Sequence, residues 1–164
     1  MARPLSSVRR PPLNADSLCG KPGQPACVLK NDGHGETMTK VVESKGCSNS
    51  PKNLFVQTLA VSIERGDRAA FLRCVVEEIA WTYPGRSTIA GSVAAADLLH
   101  SARSQAPMKI EVEHAISHGK SGAANGQVQL ASGKRIRFCH VVEFASAKAD
   151  RIAKITSFYV DDAS

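Results

Sequence analysis

From Ser50 onward the spacing of apolar residues changes character twice. Phe55, Leu59 and Ile63 recur every fourth residue behind a Ser50-Pro51 pair, and a capping hydroxyl followed by a first-turn proline predicts a helix that Gly66 ends. Asp67 is placed to cap a second helix carrying Phe71, Leu72 and Val75, and Ser92 a third carrying Val93, Leu98 and Leu99. Between them, residues 78–83 predict a short strand broken by Pro84 and Gly85. From Met108 the period shortens to two, predicting strands near 108–118, 122–130, 135–145 and 151–161, joined by the turns GKSG, ASGK and SAKAD. Helices followed by hairpin-linked strands predict an α+β domain. Its three helices should pack on one face of a strongly curved, mostly antiparallel sheet, in a cone whose interior is the place for a ligand.

Upstream of this pattern the composition differs. Residues 1–37 hold five of the eight prolines, four glycines and no aromatic side chain, too little apolar area to offset chain entropy. They predict a disordered extension, residues 38–164 forming the domain, with Met38 as the expected translation start. The five cysteines include no C-x-x-C pair, which points to free thiols in a reducing compartment and hence the cytoplasm rather than to disulfides or zinc. The formal charge of +6 is spread along the chain, with no basic stripe suited to nucleic acid and no apolar run long enough to cross a membrane.

The order helix, Gly66-Asp67, helix, EIAWTYPG (Glu78 to Gly85), IAG before a helix (Ile89 to Gly91) and a final IAKITSFYVD (Ile152 to Asp161) resembles the nuclear-transport-factor-2-like superfamily, and within it the SnoaL-like bacterial proteins. The resemblance spans about residues 45–162. It implies a small-molecule pocket and the chemistries of that group: isomerase, cyclase or epoxide-hydrolase reactions, or plain binding and dimerisation. The catalytic acids of the ketosteroid isomerases are not matched: Tyr83 stands where their general base does, and Leu59 and His140 where their oxyanion donors do. Nor are those of the limonene epoxide hydrolases, whose acid positions fall at Asn125 and Ser157. No cofactor is implied.

Strand alternation places Phe138, His140 and Val142 on one face, expected to look into the cone, and Cys139 and Val141 on the other. His140 is either a core histidine held by neighbours or a proton carrier. Trp81 and Tyr83 share a side at the pocket wall. On the last strand the inward set is Ile155, Ser157 and Tyr159, or else Thr156, Phe158 and Val160. The candidate catalytic pair is Tyr83 and His140, with Trp81, Asn125, Phe138, Val142, Ser157 and Tyr159 lining a site for a small apolar, polyketide- or steroid-like molecule. His114 and His118 stand too far apart on a strand, roughly 13 Å, to share a metal ion, and Glu77-Glu78 reads as a solvated end of the second helix. Val112, Val128, Cys139 and Val141 are expected on the outer sheet face, where they would pair two copies into a homodimer. A filled, non-catalytic dimerisation module is the alternative function.

Overall fold

Helix α1 (Pro51–Arg65) starts and stops where its sequence dictates. Ser50 adopts extended backbone at the N-cap, although its hydroxyl makes no capping bond, and Gly66, at φ 72°, takes the left-handed conformation that closes the C-terminus through Gly66 N–H to Ile63 O and Asp67 N–H to Ser62 O. Asp67 then caps α2 (Arg68–Cys74) by accepting the Ala70 N–H at 2.8 Å. These elements belong to a computed structural model that describes residues 39–44, 50–101, 106–148 and 150–162. The extension over residues 1–37, the Met38 start and Cys19, Cys27 and Cys47 lie outside the described residues.

The remaining elements are β1 (Lys40–Val42), β2 (Val75–Thr82), β3 (Ile89–Ala90), α3 (Ser92–Ser101), β4 (Pro107–His118), β5 (Ser121–Leu130), β6 (Arg135–Phe144) and β7 (Ile152–Asp161). The strands form one seven-stranded mixed sheet in the order β1-β4-β5-β6-β7-β2-β3. The β1–β4 and β2–β7 neighbours are parallel and the other pairs antiparallel. Three helices and this sheet make an α+β fold. The four long strands match their expected spans to within a residue or two, because strict alternation between turn signals leaves little freedom of register.

Helix α1 crosses β4 and β5, and the residues beneath it explain how it comes so close. On β5 the inward positions are Gly122, Ala124, Gly126 and Val128, opposite Val142, His140, Phe138 and Ile136 of β6. A β-carbon on Gly122 would meet Val56 Cγ2 at 2.9 Å, and one on Gly126 would collide with the Glu111 carbonyl and lie 2.9 Å from Phe138 Cζ. At these two glycines the strand carries no inward side chain, and Val56 of α1 and the Phe138 ring occupy the space. Every residue of α1 from Phe55 to Glu64 is buried.

Several expectations are corrected. Val75 begins β2 rather than continuing α2, and Glu77 and Glu78 are exposed within β2, where its register against β7 shifts between Val75 and Ala80. Ser92 is the first residue of α3, behind Gly91 at φ 92°, and Val93 points outward at 59% exposure while Ala95, Ala96 and Leu99 face the core. Val112 and Val128 are buried on the helix side, not the outer face. A register shift between Val112 and His114 breaks the alternation of β4, so counting by two from the histidines assigns Val112 to the wrong side. No helix among the described residues is long and apolar enough to cross a membrane.

Candidate functional site

The inward faces of β6 and β7 carry polar atoms into an otherwise apolar core. His140 is opposite Ser157, and both are 1% exposed. His140 Nδ1 lies 2.8 Å from Ser157 Oγ, and its Nε2 lies 3.0 Å from Oε1 of Glu64, a fully buried carboxylate in the last turn of α1. Trp81, from β2, donates its indole N–H to the same Ser157 oxygen at 2.8 Å, and Tyr159 donates its hydroxyl to the same Glu64 oxygen at 2.9 Å. Four secondary-structure elements therefore meet in one chain of hydrogen bonds.

Donor and acceptor inventory fixes the direction of that chain. An indole N–H can only donate and a carboxylate can only accept. Neutral His140 must then carry its proton on Nε2, facing Glu64, and Ser157 must donate its hydroxyl hydrogen to the bare Nδ1 while accepting from Trp81. Protonation of His140 at Nδ1 would reverse the Ser157 bond and leave that hydroxyl hydrogen without its acceptor. Every bond thus points toward Glu64, as the cost of an unpaired buried polar group requires.

Aromatic rings wall this chain. Trp81 stacks between Phe71 and Tyr83 with centroids at 5.4 and 5.3 Å, Tyr83 stacks on Tyr159 at 6.2 Å, and Phe138 stacks on His140 at 5.1 Å. Tyr83 is half-buried and Tyr159 is 38% exposed, so this pair forms the edge through which the buried carboxylate and imidazole approach the surface. The structure brings together Trp81, Tyr83, Phe138, His140, Ser157 and Tyr159, places Val142 on the same inward face of β6, and settles the inward set of β7 as Ile155, Ser157 and Tyr159.

Asn125 is corrected. It lies on the outer face, where its amide donates to Glu113 Oε2 at 3.1 Å and its carbonyl oxygen is 3.1 Å from His114 Nδ1, while Arg137 pairs with the same Glu113. Gln127 and Gln129, at the same phase of alternation, already mark that face as polar. On this face too, burial raises the Cys139 thiol pKa, which suppresses thiolate reactivity.

Sequence reasoning missed Glu64. The signal was present: an acidic residue in the last turn of a helix opposes the macrodipole, which favours cations there, and it stands one position after the core residue Ile63. Such a carboxylate needs a specific partner, which His140 supplies.

No protein-family model matches the sequence, and no curated protein does. Solved structures do match. An NTF-2-like protein of unknown function from Burkholderia xenovorans superposes with a TM-score of 0.56 at 15% identity, over 70% of this chain and 90% of its own. A candidate ketosteroid isomerase from Kribbella flavida gives 0.56 at 12% identity, over 69% and 80%. An epoxide hydrolase of the LEH-like type from Mycobacterium tuberculosis gives 0.53 at 16% identity, over 66% and 82%. At such identities the likeness speaks for architecture and not for activity. With its helices, sheet order and these structural neighbours, the chain has the nuclear-transport-factor-2-like fold.

Proposed function

We propose that the protein binds a small, largely apolar molecule against the Tyr83–Tyr159 edge and that Glu64 and His140 handle protons there, in a SnoaL-like reaction of isomerase, cyclase or hydrolase type. One observation carries this reading: a buried carboxylate and imidazole in contact, with the hydroxyl of the partly exposed Tyr159 on the same carboxylate oxygen. Glu64 is the proton acceptor. The Nε2–H of His140 orients it, and Ser157 with Trp81 holds the imidazole in its tautomer. Solved structures of this fold include an epoxide hydrolase and a candidate ketosteroid isomerase, which supports a small-molecule site.

A second reading has its own support. Both nitrogens of His140 are engaged within the protein, as they would be in a polar brace of a non-catalytic binding module. Native mass spectrometry of the purified chain, with thermal shift against a panel of apolar ring compounds, separates the two. A bound mass or a stabilising compound supports the pocket, and a bare chain that no compound stabilises leaves the brace.

The same proposal includes a homodimer through the outer sheet face. Ile116, Val141 and Phe158 are exposed there at 62%, 44% and 45%, opposite the side that α1 covers, and a row of apolar side chains on a bare sheet face calls for cover. Residence in the cytoplasm is proposed because neither Cys74 nor Cys139 is in a disulfide among the described residues.

A further inference from the structure

After the register shift in β4, His114, Ile116 and His118 point outward together, while Ala115 is buried and the Ser117 hydroxyl donates to Asn53 Oδ1 of α1 at 2.7 Å. Both histidines are exposed, and Ile116 between them is 62% exposed. Across the sheet, Ile116 falls in one row with Ala123, Val141 and Thr156, and His114 in the next with Asn125, Cys139 and Phe158. The exposed apolar side chains and the first imidazole therefore share two adjacent rows. His118 opens the polar row beside them, which runs through Ser121 to Glu143 and Lys154.

Charge on this face is balanced within one copy. Every Lys and Arg on the four long strands has a carboxylate partner: Lys109 with Glu111 at 2.7 Å, Arg135 with Asp162 at 3.7 Å, Arg137 with Glu113 at 3.2 Å and Lys154 with Glu143 at 2.9 Å. A two-fold contact sets a patch against its own copy, so a net charge on it would repel itself. A balanced face with an apolar centre thus fits a second copy of this chain better than a strongly charged partner. The histidines are the exception, because imidazole changes its charge between pH 5 and 8. The charged groups that face them are Glu113 beside His114, already held by Arg137 and the Asn125 amide, and Lys120 in the turn beside His118. Strand β5 carries no ionisable side chain, Arg137 and Glu143 of β6 are paired, Lys40 of β1 stands at the far, Lys109 end of β4, and α1 lies on the other side of the sheet.

We infer that His114 and His118 make the pairing of two copies pH-dependent: neutral imidazoles let the Ile116 faces meet, and protonation drives the copies apart. This rests on the outer-face homodimer proposed above and adds its regulation. Burying an imidazolium beside Ile116 and Phe158 costs desolvation, and each copy would bring two such charges into one interface. Protons then bind the separated copies in preference to the pair. The dimer is therefore strongest above the ordinary imidazole range, near about 6.5, and weakens as pH falls through it.

The test is sedimentation of the full chain between about pH 8 and about pH 5.5, spanning the imidazole range. Beside it run His114→Gln/His118→Gln, neutral throughout, and His114→Lys/His118→Lys, charged throughout, with circular dichroism to follow the fold. The wild-type dimer dissociation constant should rise at least about tenfold across that range, the factor for one imidazole that must shed its proton a unit below its ordinary value. The glutamine variant should show no such rise. The lysine variant should be monomeric at about pH 8, where acid unfolding plays no part. A wild-type dimer as strong or stronger in acid, a glutamine variant that keeps the dependence, or a lysine variant that still pairs would overturn the switch and leave the dimer standing. A wild-type chain monomeric across the range would overturn the dimer and this inference together.

Discussion

Glu64 Oε1 and His140 Nε2, 76 positions apart in sequence, meet at 3.0 Å and tie the last turn of α1 to the middle of β6. Removing either partner strands the other in the core. His140→Leu or Glu64→Leu should each cost about 3–5 kcal/mol, the range for breaking a buried pair. The double variant should cost less than the sum, by a coupling of about 0.5–3 kcal/mol. Glu64→Gln keeps an acceptor for Tyr159 and His140 and should cost less than either. Denaturant unfolding of the four variants checks this, and strict additivity would show that the two residues stabilise the fold independently.

Gly126 and Gly122 should behave differently on substitution by alanine, although both face inward on β5. At Gly126 the added carbon meets the backbone carbonyl of Glu111, whereas at Gly122 its nearest neighbour is a valine methyl. A backbone cannot turn aside as a side chain can. Gly126→Ala should therefore lower stability by about 3 kcal/mol and Gly122→Ala by about 1 kcal/mol, within the usual span for overpacking. Equal costs in thermal unfolding would mean that the two sites yield alike.

These glycines also show where the sequence was readable and where it was not. Alternation along β6 placed Phe138, His140 and Val142 inward because each neighbour on the other phase, Arg137, Cys139 and Val141, tolerates the outer face. On β5 the inward phase is Gly122, Ala124, Gly126 and Val128, so the hydrophobic signal is weak and does not contradict the resemblance that put Asn125 in the pocket. Polarity of Gln127 and Gln129 holds the correct phase. In β4 the signal was strong but a register shift after Val112 reversed it, and nothing local in the sequence marks that shift. Glu64 escaped notice for another reason: it looks like an ordinary surface charge near a helix end until the strand that answers it is in place. Short strands β1 and β3 depend on pairing with β4 and β2, a long-range condition that three or two residues cannot announce.

Glu111 gives the fold an acid sensitivity of predictable sign. A hydrogen bond from the Lys109 ammonium at 2.7 Å, and a second from the Gln127 amide, hold its carboxyl pKa below the ordinary value. A carboxyl whose pKa is lower in the folded than in the unfolded chain binds protons more readily when unfolded. Its stabilising contribution is present above the ordinary carboxylate range, near about 4, and is lost as pH falls through the lowered folded value. Glu111→Gln should therefore flatten the acid limb of a stability-against-pH curve below about pH 4, with the neutral limb parallel to wild type. An unchanged acid limb would mean that the pairing does not survive in solution.

Phe158 and Val141 test the proposed pairing of two copies. A charge at the centre of an apolar contact is strongly disfavoured, whereas on an open surface it is harmless. Phe158→Lys should convert a dimer into a monomer in sedimentation at micromolar concentration while leaving the helical and strand signals of circular dichroism unchanged. A wild-type chain that already sediments as a monomer would remove the outer face from consideration as an interface.

Tyr159 offers the cleanest separation of a working pocket from a polar brace. Its hydroxyl donates to Glu64 at 2.9 Å, yet the side chain is 38% exposed, so water can replace part of what the phenol supplies. Tyr159→Phe should lower stability by no more than about 1.5–3 kcal/mol, the range for one hydrogen bond to a charged group, while His140→Leu costs more. If the edge seats a ligand, para-hydroxybiphenyl should bind wild type more tightly than para-methylbiphenyl, because its hydroxyl reaches the Tyr159 end of the site. That gain should disappear in Tyr159→Phe. A brace predicts a different pattern: the Tyr159 variant would lose the same stability, but neither compound would bind wild type or variant, and titration calorimetry beside thermal unfolding reads the difference directly.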